Sequence, residues 1–191
     1  MQSEGKMIEK SVLKKQMLEK RDQLDNKAER SNIICKKILS SDVFKNAKTI
    51  FLFLSFGSEV DTNLIVETCF KQGKKVCVPV CKKDGIMDAV YINGFDDMAC
   101  NKFGISEPVD VTKVAQKQDI DLIIAPGNVF DKNLNRIGYG KGFYDRFFVG
   151  TRAKRVALAF DCQVVDFDLP TNQYDVKMHS IVTEKQILGE L

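Results

Sequence analysis

Three short segments, read in order, leave few folds open to this chain: TIFLFLS (49–55), DTNLIVETCFKQG (61–73) and KVCVPV (75–80). The first is a continuous apolar run between polar residues, which suits a buried parallel strand covered on both faces. In the second, Asp61 or Thr62 is placed to cap a helix whose positions Leu64, Ile65, Thr68 and Cys69 share a face, and Gly73 ends it. The third reads as another strand. Two parallel neighbours need a crossover of this kind, so the three segments form a βαβ unit. The class implied is α/β: a single three-layer domain with a mainly parallel central sheet and helices on both faces.

The rest of the chain extends that pattern. From Lys6 to about Leu39, apolar residues from Met7 and Ile8 through Leu13 and Met17 to Ile34 and Ile38 recur at helical spacing, so this N-terminal segment reads as two helices that break near Asp25 and Asn26. DAVYI (88–92) reads as a more exposed strand. Residues 93–119 read as connection with a short helix around 111–116, a length of loop that often carries function. Strands return at 122–125, stopped by Pro126 and Gly127, at 155–160, and in SIVTE (180–184). Neither a repeat nor a linker divides the 191 residues, and 44% hydrophobic content is enough for one substantial core.

Composition removes several classes of function. Lys and Arg total 29 against 26 Asp and Glu, and a net charge of +3 is too small for a protein that coats nucleic acid. Any anion site must be local. The six cysteines include no CxxC pair, and the spacing of Cys77 and Cys81 within a strand does not gather ligands for a structural zinc. Reduced thiols in a cytoplasmic protein are expected. The opening MQSEGKMIEKSVLKKQ carries charge every few residues, unlike a signal peptide, and no segment has the length of apolar chain a membrane span needs.

In an open parallel sheet, ligands bind beyond the carboxyl ends of the strands. FGSEVDT, PGNVFD and DCQ each follow a strand, which places Glu59, Asp131 and Asp161 on that face. A connection starting from the same face carries RIGYGKGFYDRFF (136–148), with Gly138, Gly140 and Gly142 on alternate positions among Arg136 and Lys141. Glycines permit positive φ and close backbone approach, so this loop reads either as a tight turn or as a cradle for phosphate, with a helix starting behind it. It matches neither the Walker pattern nor the dinucleotide fingerprint. Asp145, one helical step on, reads as a Mg²⁺ ligand or as the partner of Arg146 or another cation. Asp175 has the same two readings, metal ligand or turn residue, and the lone His179 reads as structural.

Taken together these motifs resemble the 5-formyltetrahydrofolate cyclo-ligase family, also called 5,10-methenyltetrahydrofolate synthetases. The most specific stretch is APGNVFDKNLNRIGYGKGFYDRFF (125–148), supported in order by KSVLK (10–14), LSFGSEVDT (54–62), LAF (158–160), YDVK (174–177) and IVTE (181–184). The resemblance implies an ATP- and Mg²⁺-dependent enzyme that converts 5-formyltetrahydrofolate to 5,10-methenyltetrahydrofolate, with ADP and phosphate released. It further implies phosphorylation of the formyl oxygen, ring closure by N10, a monomer, and no nucleic-acid or membrane partner. Carried over by position, ATP is bound by Lys10, Lys14, Arg136, Ile137, Gly138, Tyr139, Gly140, Lys141, Gly142, Phe143 and Tyr144. Folate is bound by Leu54, Glu59 and the loop from Tyr139 to Phe143. An aromatic wall of Phe56, Phe143 or Tyr144 is expected to sandwich the pterin on physical grounds. Asp145 and Asp175 hold the metal, and Lys141 and Arg136 act in catalysis. Two positions depart from the family's pattern. Lys14 stands where arginine is usual and gives up the planar fork; Phe143 replaces a tyrosine and gives up its hydroxyl.

Overall fold

The computed structural model describes residues 9–101 and 104–191. Helices α1 (Lys10–Asp22) and α2 (Lys27–Ser40) form the N-terminal segment and part at Asn26, whose φ is 55°. The expected start of that segment, with Met7 and Ile8, lies outside the described residues. A short helix α3 (Asp42–Asn46), capped by the Ser41 hydroxyl accepting from the Phe44 amide, leads into strand β1 (Thr49–Leu52). This strand is shorter than its apolar run. The Thr62 hydroxyl donates to Phe53 O at 2.9 Å and accepts from the Ser55 amide at 3.3 Å, which turns the chain out of the ladder.

Helix α4 (Asn63–Lys71) follows, and the Asp61 carboxylate, not the Thr62 hydroxyl, accepts from its first amide at 2.9 Å. Its buried face is Ile65, Val66 and Cys69, one position on from the face expected, and Leu64 is exposed. Gly73, with φ of 66°, lets the Lys74 amide reach back to Cys69 O at 2.9 Å and close the helix. Strands β2 (Lys75–Cys81) and β3 (Met87–Ile92) then form an antiparallel hairpin.

The short helix expected over 111–116 is absent. That segment lies along the outer edge of β3, where Tyr91 N donates to Lys113 O and Ala115 N to Ala89 O. Unpaired groups on a strand edge take ladder bonds in preference to a marginal one-turn helix. The same cover explains why β3 is more buried than its sequence suggests, with Met87, Ala89, Val90 and Ile92 inside. Between these segments β4 (Met98–Cys100) and β5 (Ser106–Pro108) make a small antiparallel pair.

The second half contributes β6 (Leu122–Ala125), β7 (Val129–Asp131), β8 (Arg136–Ile137), helix α5 (Phe143–Phe148), β9 (Lys154–Leu158), β10 (Val164–Val165), β11 (Ser180–Val182) and β12 (Ile187–Gly189). The central sheet has seven strands in the order β12-β11-β9-β6-β1-β2-β3, parallel from β11 through β2, with antiparallel strands at both edges. Alternate residues of its strands feed two cores. Ile50, Leu52, Leu122 and Ile124 pack with Ile34, Ile38, Ile65 and Cys69 from α2 and α4. Phe51, Ile123 and Ala157 pack on the other face with Phe147 and Phe148 of α5, and the Phe51 and Phe147 rings lie 4.7 Å apart.

A second sheet, ordered β10-β7-β8, stands beyond the carboxyl ends of the central strands. Helix α1 packs on it through Leu13 and Met17 against Val129, Ile137, Val165 and Leu169. Among the described residues no helix is long and apolar enough to cross a membrane.

Candidate active site

The hairpin of β7 and β8 delivers the glycine loop to this edge. Asp131 organises its turn, accepting from the Asn133 and Asn135 amides at 2.9 Å each and from the Leu169 amide at 2.9 Å. Asp131 is thus buried in its own turn, and Asp161 is held by Thr183, Gln186 and Lys185. Of the three carboxylates that topology puts on this face, only Glu59 turns to the loop.

Each glycine of the loop leaves space that a cation fills. A Cβ on Gly138 would lie 2.5 Å from Arg136 Nη1, one on Gly140 2.9 Å from Lys14 Nζ, and one on Gly142 2.9 Å from Arg146 Nη1. Positive φ is confined to Gly140 (101°) and Gly142 (64°), so Gly138 is needed for close approach alone. Lys10 and Lys14 reach the site from one face of α1, four residues apart, while Leu13 and Met17 anchor the helix on the small sheet.

The two aspartates meet behind the loop. The Val176 amide donates to Asp145 Oδ1 at 3.3 Å, which sets Asp175 on the backbone beside it. Arg136, not Arg146, is the partner of Asp145: Nη2 lies 3.1 Å from Oδ2, and Nη1 donates to Pro126 O at 3.2 Å. The Arg136 side chain is only 3% exposed, with its guanidinium 5.5 Å from the Tyr144 ring and 5.7 Å from that of Phe148. Asp175 Oδ2 accepts from Lys10 Nζ at 2.6 Å and from the Asn172 amide at 2.8 Å. Its Oδ1 has no partner among the described residues. Carboxylate oxygens are hard donors of the kind Mg²⁺ takes, and Asp175 Oδ1 is the open one here, next in the chain to the amide that Asp145 accepts from.

On the other flank of α1 the loop after β1 meets Tyr139. Glu59 Oε2 accepts from the Phe56 amide at 2.9 Å, and Oε1 accepts from the Tyr139 hydroxyl. Burial raises the Glu59 carboxyl above its ordinary range, opposed by these two bonds and by the charge of Arg21. Arg21 was not among the residues the sequence singles out. Its Nε donates to Ser58 Oγ at 3.0 Å and its Nη1 to the Tyr139 hydroxyl at 3.5 Å, and the residue is 5% exposed. A signal existed: Leu13, Met17 and Arg21 form one buried stripe at intervals of four.

Leu54 is half-buried at the rim of the first core, and Ile137 packs its side chain with Leu13, so only its backbone faces the loop's own chain. Tyr144 belongs to the second core. Of the three aromatics expected as a wall, Phe56 is exposed, and Phe143 is half-buried with the Arg146 guanidinium 5.9 Å from its ring. His179 is structural, its Nδ1 accepting from the Arg155 amide at 2.9 Å. Buried polar atoms without partners gather here: Arg136 Nε, the Tyr144 hydroxyl and Asn128 Oδ1, with Asn128 Nδ2 3.4 Å from Gly138 O. Buried polar groups without partners are rare in folded proteins, and three of those among the described residues belong to this edge.

The model of the 5-formyltetrahydrofolate cyclo-ligase family matches residues 6–184. This chain belongs to that family. It is 35% identical to the 5-formyltetrahydrofolate cyclo-ligase of Haemophilus influenzae over 72% of this chain and 76% of the relative. With that of Escherichia coli it shares 32% identity over 74% and 80%. The solved 5,10-methenyltetrahydrofolate synthetase of Aquifex aeolicus superposes with a TM-score of 0.82 at 29% identity, covering 95% of this chain and 92% of that one. Membership makes the chain an enzyme of folate metabolism, and its mixed α/β fold with a large, mainly parallel sheet is the fold of the solved relative.

Proposed function

We propose that the chain converts 5-formyltetrahydrofolate to 5,10-methenyltetrahydrofolate with consumption of ATP, and that the loop from Arg136 to Asp145 is where the two substrates meet. The observation that carries this reading is the loop's position between α1, with Lys10 and Lys14, and the Glu59 corner, tied to it through Tyr139. One flank suits a polyphosphate and the other a heterocycle with N–H donors.

An amide carbon is a poor electrophile and its oxygen a poor leaving group, so ring closure needs activation. The terminal phosphoryl group of ATP passes to the formyl oxygen, ADP leaves, and N10 attacks the activated carbon with loss of its proton. The C–O bond then breaks and phosphate departs, leaving the cyclic methenyl cation. Such transfers ask the protein mainly for alignment and charge stabilisation. Lys14 and Lys10 clamp the outer phosphates, Lys10 exchanging Asp175 for a phosphate oxygen. Lys141 stabilises charge on the transferring group. Glu59 accepts from the pterin N–H groups and fixes the formyl oxygen toward ATP. Arg136 acts as a positioning residue, holding Asp145 from the buried side. When Mg²⁺ is bound, Asp145 and Asp175 hold it, and it screens the charge of the polyphosphate.

The test is spectroscopic. Methenyl-folate absorbance should rise from 5-formyltetrahydrofolate only with ATP and Mg²⁺ together, with free phosphate released in equal amount. No product under any condition, or a stable phosphorylated folate, would overturn the reading.

A further inference from the structure

The glycine loop has cations on two sides, and Lys82, Lys83 and Arg146 on the second do not enter the reading above. On the opposite side the turn between β2 and β3 brings Lys82 and Lys83 against Lys141 and Arg146, around a pocket of about 460 Å³ also lined by Gly85 and Phe143. Its charge is unbalanced. Lys82 is paired with Asp88, but the Lys83 and Lys141 ammonium groups have no protein partner among the described residues. Among the described residues Arg146 meets only neutral acceptors, donating from Nε to Gly85 O at 2.9 Å and from Nη2 to Lys141 O, and its Nη1 makes no hydrogen bond there.

That guanidinium is also fixed in place. A Cβ on Gly85 would lie 2.0 Å from its Nη2, and one on Gly142 2.9 Å from its Nη1, so two glycines enclose it. A pre-set fork loses little freedom on binding a carboxylate. The aspartates suited to a metal-bound polyphosphate lie on the other flank, with Lys10. A pocket lined by Lys82, Lys83, Lys141 and Arg146, in which the Lys82 ammonium alone has an ion-pair partner among the described residues, suits an anion that arrives without a cation.

We propose that this pocket binds the glutamate end of the folate, with Lys83 and Arg146 holding its carboxylates and Lys141 at the border with the phosphoryl-transfer region. The proposal rests on the folate reading above. The substrate then runs along the loop, its pterin at Glu59 beside Tyr139 and its acidic end beyond Lys141, two residues further along the chain.

Direct binding to the full chain tests it, with 5-formyltetrahydrofolate compared with 5-formyltetrahydropteroate, which lacks the glutamate. Wild type should bind the glutamate form more tightly. Lys83→Ala should weaken that binding ~3-fold, as for one partly exposed ion pair, and Lys83→Glu ~10-fold, with the pteroate form and the KM for ATP unchanged. Lys83 is exposed, so both variants should keep the wild-type melting temperature. Equal losses for both compounds, or a rise in the ATP KM instead, would overturn the assignment, the latter making the pocket a phosphate site. Wild type binding neither compound would sink the folate reading itself, whereas equal binding of the two would sink only the pocket.

Discussion

Replacing Arg136 by Met separates a positioning role from direct contact with phosphate. The guanidinium is 3% exposed, and its partner Asp145 is 18% exposed, so the pair is screened little by solvent. Met removes a charge-assisted bond to Asp145 and the donor to Pro126 O, losses of about 3 kcal/mol together. Two terms act the other way: the variant buries no partnerless Nε, and the thioether fills space against Tyr144 and Phe148. A net cost of about 2 kcal/mol follows, which lowers the melting temperature by about 4–8 °C in a chain of this size. The cycle completed with Asp145→Asn should show coupling of about 1–2 kcal/mol, because the two residues share one bond. Thermal melts of the four proteins, run beside steady-state kinetics, check both numbers. If Arg136→Met melts like wild type yet loses turnover, the guanidinium reaches substrate and the positioning argument fails.

Three other outcomes follow from the site and its surroundings. Tyr139→Phe should raise the KM for folate by ~5-fold with that for ATP unchanged, the bond to Glu59 being discounted for the exposure of Tyr139. With the hydroxyl gone, burial of Glu59 is less opposed, so the acid limb of folate affinity should move to higher pH; a shift to lower pH would contradict the assignment. Lys141→Ala should slow turnover ~10²-fold in a single-turnover assay with ATP affinity nearly kept, and wild-type turnover would remove its role. Burial, with Arg155 and Lys154 adding to it, lowers the His179 pKa, so the native state binds fewer protons than the unfolded chain below about pH 6.5. Stability should therefore fall as pH drops through that value toward the lowered native pKa, by at most ~1.4 kcal/mol per pH unit from this group. Relative to wild type, His179→Asn, which keeps an acceptor for the Arg155 amide, should gain stability in that window; parallel urea-denaturation curves would show that His179 does not titrate there.

How far the fold is legible depends on whether each element is decided locally. The strand at Leu122–Ala125 is apolar at every position and ends at Pro126 and Gly127, so both its nature and its end lie within a few residues. In α4 the residues Leu64, Ile65, Val66 and Cys69 fit two overlapping stripes, and the choice of Val66 over Leu64 is made by the sheet beneath. Segment 111–116 has no helix because the edge of β3 was open to it, a fact held some twenty residues away. Strand β12 leaves no local signal for a third reason: three residues, Ile187–Gly189, are too few to show a period, and they are held by pairing with β11.

The site shows the same division, and it changes what the alternate glycines are for. From spacing alone they make a turn or a phosphate cradle, because a missing Cβ permits both. In the folded chain each missing Cβ is matched to a cation from a different place: Arg136 from the preceding strand, Lys14 from α1, Arg146 from the following helix. Three like charges gathered on five residues repel one another, and the protein offsets this with few carboxylates. Asp145 takes Arg136, while Arg146 has only carbonyls, and Lys14 has no ion-pair partner among the described residues. The surplus is local, as a nearly neutral chain requires, and it stands where anionic substrates would supply the missing charge. A loop that is repulsive when empty and neutralised when filled is therefore expected to gain stability from ATP and folate together. The stripe of α1 marks Arg21 as buried but not its reach to Tyr139 across 118 residues, and no local pattern records the reach of Arg146 to Gly85 across 61.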